Sequence, residues 1–417
     1  MNVPRLPALV AFVALGLLLV VLLALTTPWN PLGANAPKVP TDPARDFTAA
    51  QLAKENAYHN ALRPWSLTSL ALGLVVAAVL GLTPLGARVV TAVGRGPWPV
   101  EAALGGLALS LIPVLATLPL DAKTETVLRR YGLSTQTWGT WTIDRLKVAL
   151  VGAVLLVLVV VGIVGMARIA PRTWWAWGAF AAAVLVTTAS YVFPLVVEPL
   201  FNTFTPLPDG TLRTELLDLA DRDGIAVEEI LVADASRRTT ALNAYVSGIG
   251  NTRRIVVYDT LLEKGTPAEV RLVVAHELGH VKAHDVRNQT LLGALGAAAA
   301  VCGLFLLLTS GLVGRADAEA ASDPRSLGLV LFAIAAATFV TLPAQTLVSR
   351  RVEARADVHS LDLTGDVDAF VESEKTLAVT NLADLDPNPL LYTWFYTHPT
   401  SPERIALARA WAQQARP

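Results

Sequence analysis

The sequence predicts an all-α polytopic membrane protein with seven transmembrane helices and one small α+β insert. Of its 417 residues, 53% are apolar and only 16% are charged, whereas soluble domains carry roughly 25% charged residues. Seven segments are apolar over about 20 residues, the helix length that crosses a hydrocarbon core of about 30 Å. One long polar stretch separates the fifth segment from the sixth.

The seven apolar segments define the predicted spans. Their approximate limits are 7–27, 66–85, 100–120, 147–166, 174–197, 289–313 and 327–348. The first follows Arg5 and exceeds the roughly 7–15 apolar residues of a secretory signal, and no small-residue cleavage site closes it. We therefore interpret it as a transmembrane helix, with a cleaved signal as the alternative.

The polar stretch between the spans predicts a folded α+β insert. A helix is expected over 211–223, a strand over 229–232, and a hairpin of strands 242–246 and 254–258 around residues 247–251. Thr266, Pro267 and Glu269 then predict the start of a helix. Threonine is a preferred N-cap, proline is favoured at the first helical position, and a glutamate three residues after the cap closes a capping box.

The chain thus divides into four parts. Residues 1–197 hold five spans, 198–288 the insert, 289–348 two spans, and 349–417 a polar tail. In the tail, helices are expected past Arg351, over 367–383, and from Ser401 and Pro402 onward.

Charge and cysteine content exclude several classes of function. The net charge is −1, which argues against a nucleic acid as a partner, because nothing here neutralises a run of phosphates. A single cysteine, Cys302, rules out both an intramolecular disulfide and a four-cysteine zinc site. The abundance of Ala, Leu, Val, Gly and Arg favours a GC-rich bacterial genome, and hence a bacterial cell membrane as the location.

The expected helix after Thr266 contains the motif His276-Glu277-Leu278-Gly279-His280. Two histidines four residues apart share one helix face, so both imidazoles can reach one metal ion. The side chain of Glu277 points to an adjacent part of the helix surface, where it can contact a water molecule at the metal without being a ligand. Catalytic zinc takes three protein ligands and keeps one open position, so a third ligand is required.

Glu353 is the candidate third ligand. His284 lies eight residues after His276, about 12 Å along a helix, which is too far for bonds of about 2 Å to one ion. Glu353 and Asp357 follow the seventh span and share a helix face, so Asp357 can accept a hydrogen bond from a ligating histidine. Two spans separate His280 from Glu353, so both lie on the same side of the membrane.

These residues resemble the membrane gluzincin metallopeptidases, the family of type I CAAX prenyl endopeptidases and HtpX-like proteases. The resemblance covers roughly residues 40 to 410, and seven spans favour the CAAX type. Beyond the HELGH motif it rests on the following groups: 130–134 (RYGLS) with Trp141 and Asp144, 198–202 (EPLFN), Pro206 with Leu207, 243–245 (NAY), Glu353 with Asp357, and His398-Pro399 with Glu403-Arg404.

The resemblance implies a zincin-like catalytic insert and one Zn²⁺ per chain. His276, His280 and Glu353 would bind the zinc, and Asp357 would accept a hydrogen bond from one of the ligating histidines. Glu277 would act as general base and then as proton donor. Asn243 and Tyr245 would bind the main chain of a peptide substrate. His398 would stabilise the oxyanion of the tetrahedral intermediate, and Arg404 would assist it.

The expected function is therefore zinc-dependent endoproteolysis of membrane-tethered or lipidated substrates. Alternatives are HtpX-like quality control of misfolded membrane proteins and a non-catalytic membrane scaffold with a vestigial zinc site. A site-2-type intramembrane protease is disfavoured, because charged residues such as Lys282 and Asp285 follow the motif closely. Arginines and lysines are nearly balanced across the membrane, so the resemblance alone places the site on the cytoplasmic side.

Overall fold

A computed structural model describes residues 5–227, 229–247 and 254–414. Seven helices in these residues are long and apolar enough to cross a membrane, as predicted. With their shorter neighbours, the membrane helices are α1 Leu6–Thr26, α2 Pro43–Asp46, α3 Ala49–Leu82, α4 Leu85–Val93, α5 Trp98–Arg130, α6 Trp138–Ile169, α7 Trp174–Val192, α8 Glu198–Phe201, α12 Asp285–Leu308, α13 Leu312–Arg315 and α14 Leu327–Thr364. The fold is that of a polytopic helical membrane protein.

The insert and the tail supply the remaining elements. The strands of the insert are β1 Phe204–Pro206, β2 Glu229–Ala233, β3 Ala244–Ser247 and β4 Arg254–Tyr258. The helices are α9 Thr211–Arg222, α10 Asp259–Lys264, α11 Pro267–Lys282, α15 Val367–Asn381, α16 Pro389–Phe395 and α17 Ser401–Gln414. The expected turn at 247–251 lies mostly outside the described residues.

Several membrane helices extend well past their apolar segments. A complete capping box between Thr48 and Gln51 starts α3 long before its first apolar run. At the other end of the chain, α14 continues without interruption from the bilayer into the tail. Polar residues on these extensions can therefore lie beside the insert.

Two predicted boundaries in the membrane region need correction. The sixth span ends at Leu308 rather than at residue 313, because a separate short helix begins at Leu312. The second ends at Leu82, followed by an extended Thr83. The fifth span reaches its predicted end at Val197, through a π-helical turn, Phe193–Val197, which contains a proline that cannot donate the usual helical hydrogen bond.

The insert is a mixed four-stranded sheet packed against α11. The strand order is β1-β2-β4-β3, with β2 and β4 parallel and the outer pairs antiparallel. Buried side chains of α9, the sheet and α11 form one hydrophobic core, which includes Leu216, Ile255 and Val274. Strand β3 is an edge strand, because its second side has no strand partner among the described residues.

Two element boundaries in the insert and the tail also differ from expectation. Strand β3 begins at Ala244 rather than at Leu242, because the main chain of Leu242 is bonded to the side chain of Asn381 instead of to another strand. Helix α15 ends at Asn381 rather than at residue 383, because Leu382 adopts a left-handed conformation with φ 49°. The capping box of Thr266 and Glu269 is as predicted.

The loop after α5 joins the insert to the membrane helices. Ser134 and Thr239 form an isolated β-bridge, and the main-chain N–H of Thr240 donates to the carbonyl of Leu133 over 3.2 Å. The guanidinium of Arg238 donates to Asp144 on α6 over 2.7 Å. The insert is therefore fixed to the membrane helices by the segment between β2 and β3, as well as by the chain connection from α11 to α12.

Small residues allow α3, α4 and α14 to cross closely. A Cβ on Gly328 would lie 2.4 Å from the carbonyl oxygen of Leu80 and 3.5 Å from the Cα of Gly86. A Cβ on Gly81 would lie 2.4 Å from the Cβ of Phe332. Close backbone approach at small residues is how membrane helices associate without a hydrophobic driving force.

This crossing predicts that Gly328→Ala destabilises the protein by about 1–3 kcal/mol, because the methyl group overlaps backbone that cannot move freely. Thermal unfolding in detergent measures the change. Gly296→Ala is the matched control, since nothing lies within 4 Å of a Cβ at Gly296. Equal melting temperatures for both variants would contradict this packing.

Candidate metal centre

Helix α11 presents the HELGH motif from a rigid base. Its first turn is closed by the capping box, and Val270, Val274 and Leu278 are buried in the core of the insert. His276, Glu277 and His280 therefore project from the remaining face. Gly279 lies against α14, where a Cβ would come within 3.2 Å of the Cα of Ala356.

This close contact brings Glu353 to the two histidines. The Nε2 atoms of His276 and His280 are 3.2 Å apart. The Oε2 atom of Glu353 lies 3.1 Å from Nε2 of His276 and 3.7 Å from Nε2 of His280. Two imidazole nitrogens and one carboxylate oxygen thus converge on one point, which is the ligand set and spacing of a three-ligand catalytic zinc site.

Each histidine is oriented by a carboxylate on its other ring nitrogen. Nδ1 of His276 lies 2.8 Å from Asp357, and Nδ1 of His280 lies 2.9 Å from Asp285. When Nδ1 donates to a carboxylate, the lone pair of Nε2 is directed toward the shared point. These residues therefore fit a bound zinc ion.

The electrostatic field at this point favours a cation. Burial lowers the pKa of His276, but hydrogen bonds to Asp357 and Glu353 more than offset this and raise its pKa to about 10. For His280, bonds to Asp285 and Glu353 likewise overcome burial and raise the pKa to about 9. The carboxylates that stabilise a protonated imidazole would stabilise a metal cation in the same way.

Glu277 lies beside the histidines but makes a different set of contacts. Burial raises the pKa of its carboxyl group, while the positive field of the histidines and a hydrogen bond from the main-chain N–H of Val246 act in the opposite direction. A carboxylate with an elevated pKa is suited to accept and return a proton near neutral pH.

A buried ion-pair network supports Asp357. The guanidinium of Arg404 donates from Nε to Asp357 over 2.9 Å and from Nη1 to Glu374 over 2.7 Å. Asp357 is 0% exposed, so its charge requires such a partner. Arg404 therefore contacts the residue that orients His276.

The edge strand β3 runs beside the donors. The main-chain N–H of Tyr258 donates to the carbonyl of Asn243 over 3.0 Å, so the main-chain groups of Asn243 point toward β4. Because residues of an antiparallel pair alternate in direction, the N–H and C=O of Ala244 point away from β4, toward the free edge. The N–H of Val246 has the same direction and reaches Glu277.

A cavity of about 360 Å³ opens between this edge and the tail. Its walls include Asn243, Glu277, Phe370 and His398. The half-exposed imidazole of His398 places Nε2 3.3 Å from Glu353. Tyr245 has other surroundings, because its ring packs on Tyr258 and its hydroxyl lies 3.4 Å from Glu198.

Asp285, Arg355 and Glu374 belong to the site but were not expected from the sequence. Asp285 orients His280 and is itself paired with Arg355. The signal for Asp285 was its position five residues after His280, where the end of α11 turns back. That turn is made by His284, which has a left-handed φ of 55° and lies outside the donor cluster.

Comparison with known proteins identifies the family. Residues 206–412 match the model of peptidase family M48, and residues 32–203 match that of the CAAX prenyl protease N-terminal region of five membrane helices. The uncharacterized metalloprotease YhfN of Bacillus subtilis is 30% identical over 71% of this chain and 70% of its own length. The chain belongs to peptidase family M48. It is a multi-pass membrane metallopeptidase of the CAAX prenyl protease type.

CAAX prenyl proteases are similar over comparable lengths. CAAX prenyl protease 1 of Saccharomyces cerevisiae is 28% identical over 71% of this chain and 69% of its own. The human CAAX prenyl protease 1 homolog is 26% identical over 74% and 73%. The crystal structure of S. mikatae Ste24p aligns with a TM-score of 0.75 at 23% identity, covering 98% of this chain and 99% of that one. The fold of this M48 peptidase is thus Ste24p-like.

The contact between Asp285 and His280 generates a prediction about metal affinity. We expect Asp285→Asn to weaken zinc binding about 10- to 100-fold, the usual cost of losing the carboxylate behind a ligating histidine. Metal titration of purified protein measures the change. Asp218→Asn on the exposed side of α9 is the control, and an unchanged zinc affinity in Asp285→Asn would contradict the assignment.

Proposed function

We propose that this protein is a zinc-dependent endopeptidase of membrane-associated substrates. His276, His280 and Glu353 would hold one zinc ion, and the convergence of these three donors is the observation that carries the proposal. Bound zinc supplies Lewis acidity, which polarises a peptide carbonyl and makes a water molecule more acidic. The chain's own residues supply the proton transfers and the binding of the peptide.

Glu277 acts as the general base and then as the proton donor. Its carboxylate takes a proton from the attacking water and returns it to the leaving amine. The proximity of the two histidines and the elevated pKa of Glu277 support this role. A scaffold with a vestigial site has no need for an intact base beside three oriented donors, so catalysis is favoured over that alternative.

Substrate binds as an added strand on the free edge of β3. The outward N–H and C=O of Ala244 are available to pair with an extended peptide, and main-chain hydrogen bonds of this kind give affinity without demanding a sequence. Asn243 lines the cavity at the same edge and can bind the peptide main chain. Tyr245 stabilises β3 through the packing of its ring against Tyr258, and it does not line the cavity.

His398 and Arg404 contribute in different ways. The half-exposed ring of His398, at the cavity next to Glu353, is positioned to donate a hydrogen bond to the oxyanion. The N–H groups of Arg404 donate to Asp357 and Glu374. We therefore assign Arg404 the role of holding Asp357 in place, so that Asp357 can orient His276.

The substrates are membrane-tethered or lipidated peptides and proteins. Glu353 lies on α14, the helix that forms the seventh span, and His280 is followed at Asp285 by α12, the helix of the sixth. Both connections keep the donors near the membrane boundary. The match of residues 32–203 to the CAAX prenyl protease N-terminal region favours processing of lipidated proteins over HtpX-like quality control. The site is expected to face the cytoplasm of a bacterial cell.

Substitution of the base tests the chemistry. Glu277→Gln should retain about one zinc per chain and lose several orders of magnitude in kcat, because only proton transfer is removed. Glu353→Ala, in contrast, should lose zinc. Metal analysis and peptide cleavage are measured on the same preparations. Wild-type turnover in Glu277→Gln would overturn the proposed mechanism.

A second prediction concerns how substrate reaches the site. One peptide sequence is prepared free, with a covalent lipid, and with a transmembrane anchor, and cleavage is compared in the same liposomes. The anchored forms should have the higher kcat/KM, because the donors lie close to the bilayer. A free peptide cleaved as fast as the anchored forms would exclude preference for tethered substrates and leave the zinc chemistry intact.

A further inference from the structure

Asn381 occupies the line along which a substrate strand would continue. The main-chain N–H of Leu242 donates to Oδ1 of Asn381 over 2.9 Å, and Nδ2 of Asn381 donates to the carbonyl of Leu242 over 3.2 Å. One side-chain amide thus satisfies both main-chain groups of Leu242. These are the two bonds that a neighbouring strand would otherwise make.

Leu242 and Ala244 point the same way. The main-chain groups of Asn243 point toward β4, so the residues on either side of it direct their main-chain groups to the free edge. At Ala244 these groups have no hydrogen-bond partner among the described residues, whereas at Leu242 they are bonded to the side chain of Asn381. Leu242, Asn243 and Asn381 all line the cavity beside the donors. Asn381 therefore stands where the next residue pair of a bound peptide would lie.

The surrounding loop holds Asn381 firmly. Asn381 is the last residue of α15, and Leu382 after it has a left-handed φ of 49°, a conformation that persists in a non-glycine residue only when neighbours hold it. Nε2 of His59 on α3 contacts the carbonyl of Leu382 over 3.0 Å. Asp384 receives hydrogen bonds from Arg63 of the same helix and from the hydroxyl of Tyr396. The second membrane helix thus fixes this loop.

We infer that Asn381 ends the substrate-binding edge and limits how many residues a peptide can extend on one side of the scissile bond. The inference rests on the proposed function and deepens it, because it gives the endopeptidase a limit on substrate length. A peptide pairs with Ala244, and the amide of Asn381 stops the ladder at Leu242. Residues beyond that point must leave the edge and gain no main-chain hydrogen bonds from it.

A length series tests this inference. Peptides of one core sequence are extended residue by residue on the N-terminal side and, separately, on the C-terminal side, and kcat/KM is measured for each. In the wild type, kcat/KM should stop rising at a defined length on one side. In Asn381→Ala, the Leu242 groups become free, so peptides one pair longer on that side should gain about tenfold relative to the shorter ones, as two main-chain hydrogen bonds allow.

The controls separate a length limit from general damage. Thr380→Ala removes a neighbouring side chain that makes no hydrogen bond in the described residues and should keep the wild-type profile. Asn381→Ser, whose short hydroxyl cannot span both groups of Leu242, should shift the profile in the same direction as alanine. Zinc content reports whether each variant is folded.

Each outcome decides a separate point. A uniform loss of kcat/KM at all lengths in folded Asn381→Ala and Asn381→Ser would show that Asn381 only supports the fold and would overturn the inference. Failure of the wild type to cleave any peptide of the series would count against the proposed function itself. An unchanged length profile in both variants, with wild-type cleavage intact, would refute the length limit alone.

Discussion

The contact between α11 and α14 is the interaction on which the rest of the site depends. Two histidines on α11 cannot by themselves make the closed set of donors that a catalytic zinc requires. Gly279 allows the backbone of α14 to approach, and Glu353 then comes within 3.1 Å of His276. The same approach brings Asp357 to the second nitrogen of that ring. The membrane helices serve this contact by delivering both partners to one side of the bilayer.

Charge compensation explains why so many ionised groups can be buried here. Asp357 is fully buried and lies against His276 and Arg404, and Arg404 is shared with Glu374. Burial outweighs the attraction of Arg404 and raises the pKa of Glu374 to about 7. A buried charge without such a partner would destabilise the fold by several kcal/mol. The network therefore fixes the orientation of His276, and removal of one of its charged partners would destabilise the fold.

The sequence was most informative where a pattern was local. The HELGH motif, the capping box at Thr266 and the apolar spans each lie within one stretch of chain, and periodicity or spacing was sufficient to find them. Glu353 required one long-range step, the even number of spans, which the topology supplied. The zinc-binding and catalytic roles of these residues stay predictions until metal and activity are measured.

Other features depended on contacts that no local pattern contains. Asn381 is 139 residues from the Leu242 main chain that it bonds, and it shortens β3 at a position where the sequence alone favours a strand. Helices α3 and α14 pass beyond the bilayer because capping and polar contacts end a helix, whereas hydropathy reports only the lipid-embedded part. Asp285 acts through a turn whose left-handed His284 has no sequence signal of its own.

The order of these elements along the chain has a consequence for biosynthesis. The two histidines and Glu277 are synthesised before the apolar segments of the sixth and seventh helices, whereas Glu353, Asp357, His398 and Arg404 all come after those segments. A nascent chain therefore holds an incomplete donor set until both late helices have inserted and α14 has folded against α11. If either helix fails to insert, Glu353 emerges on the wrong side of the membrane. Under the proposed function, proteolytic competence would be coupled to correct topogenesis, and a misinserted copy would be inert.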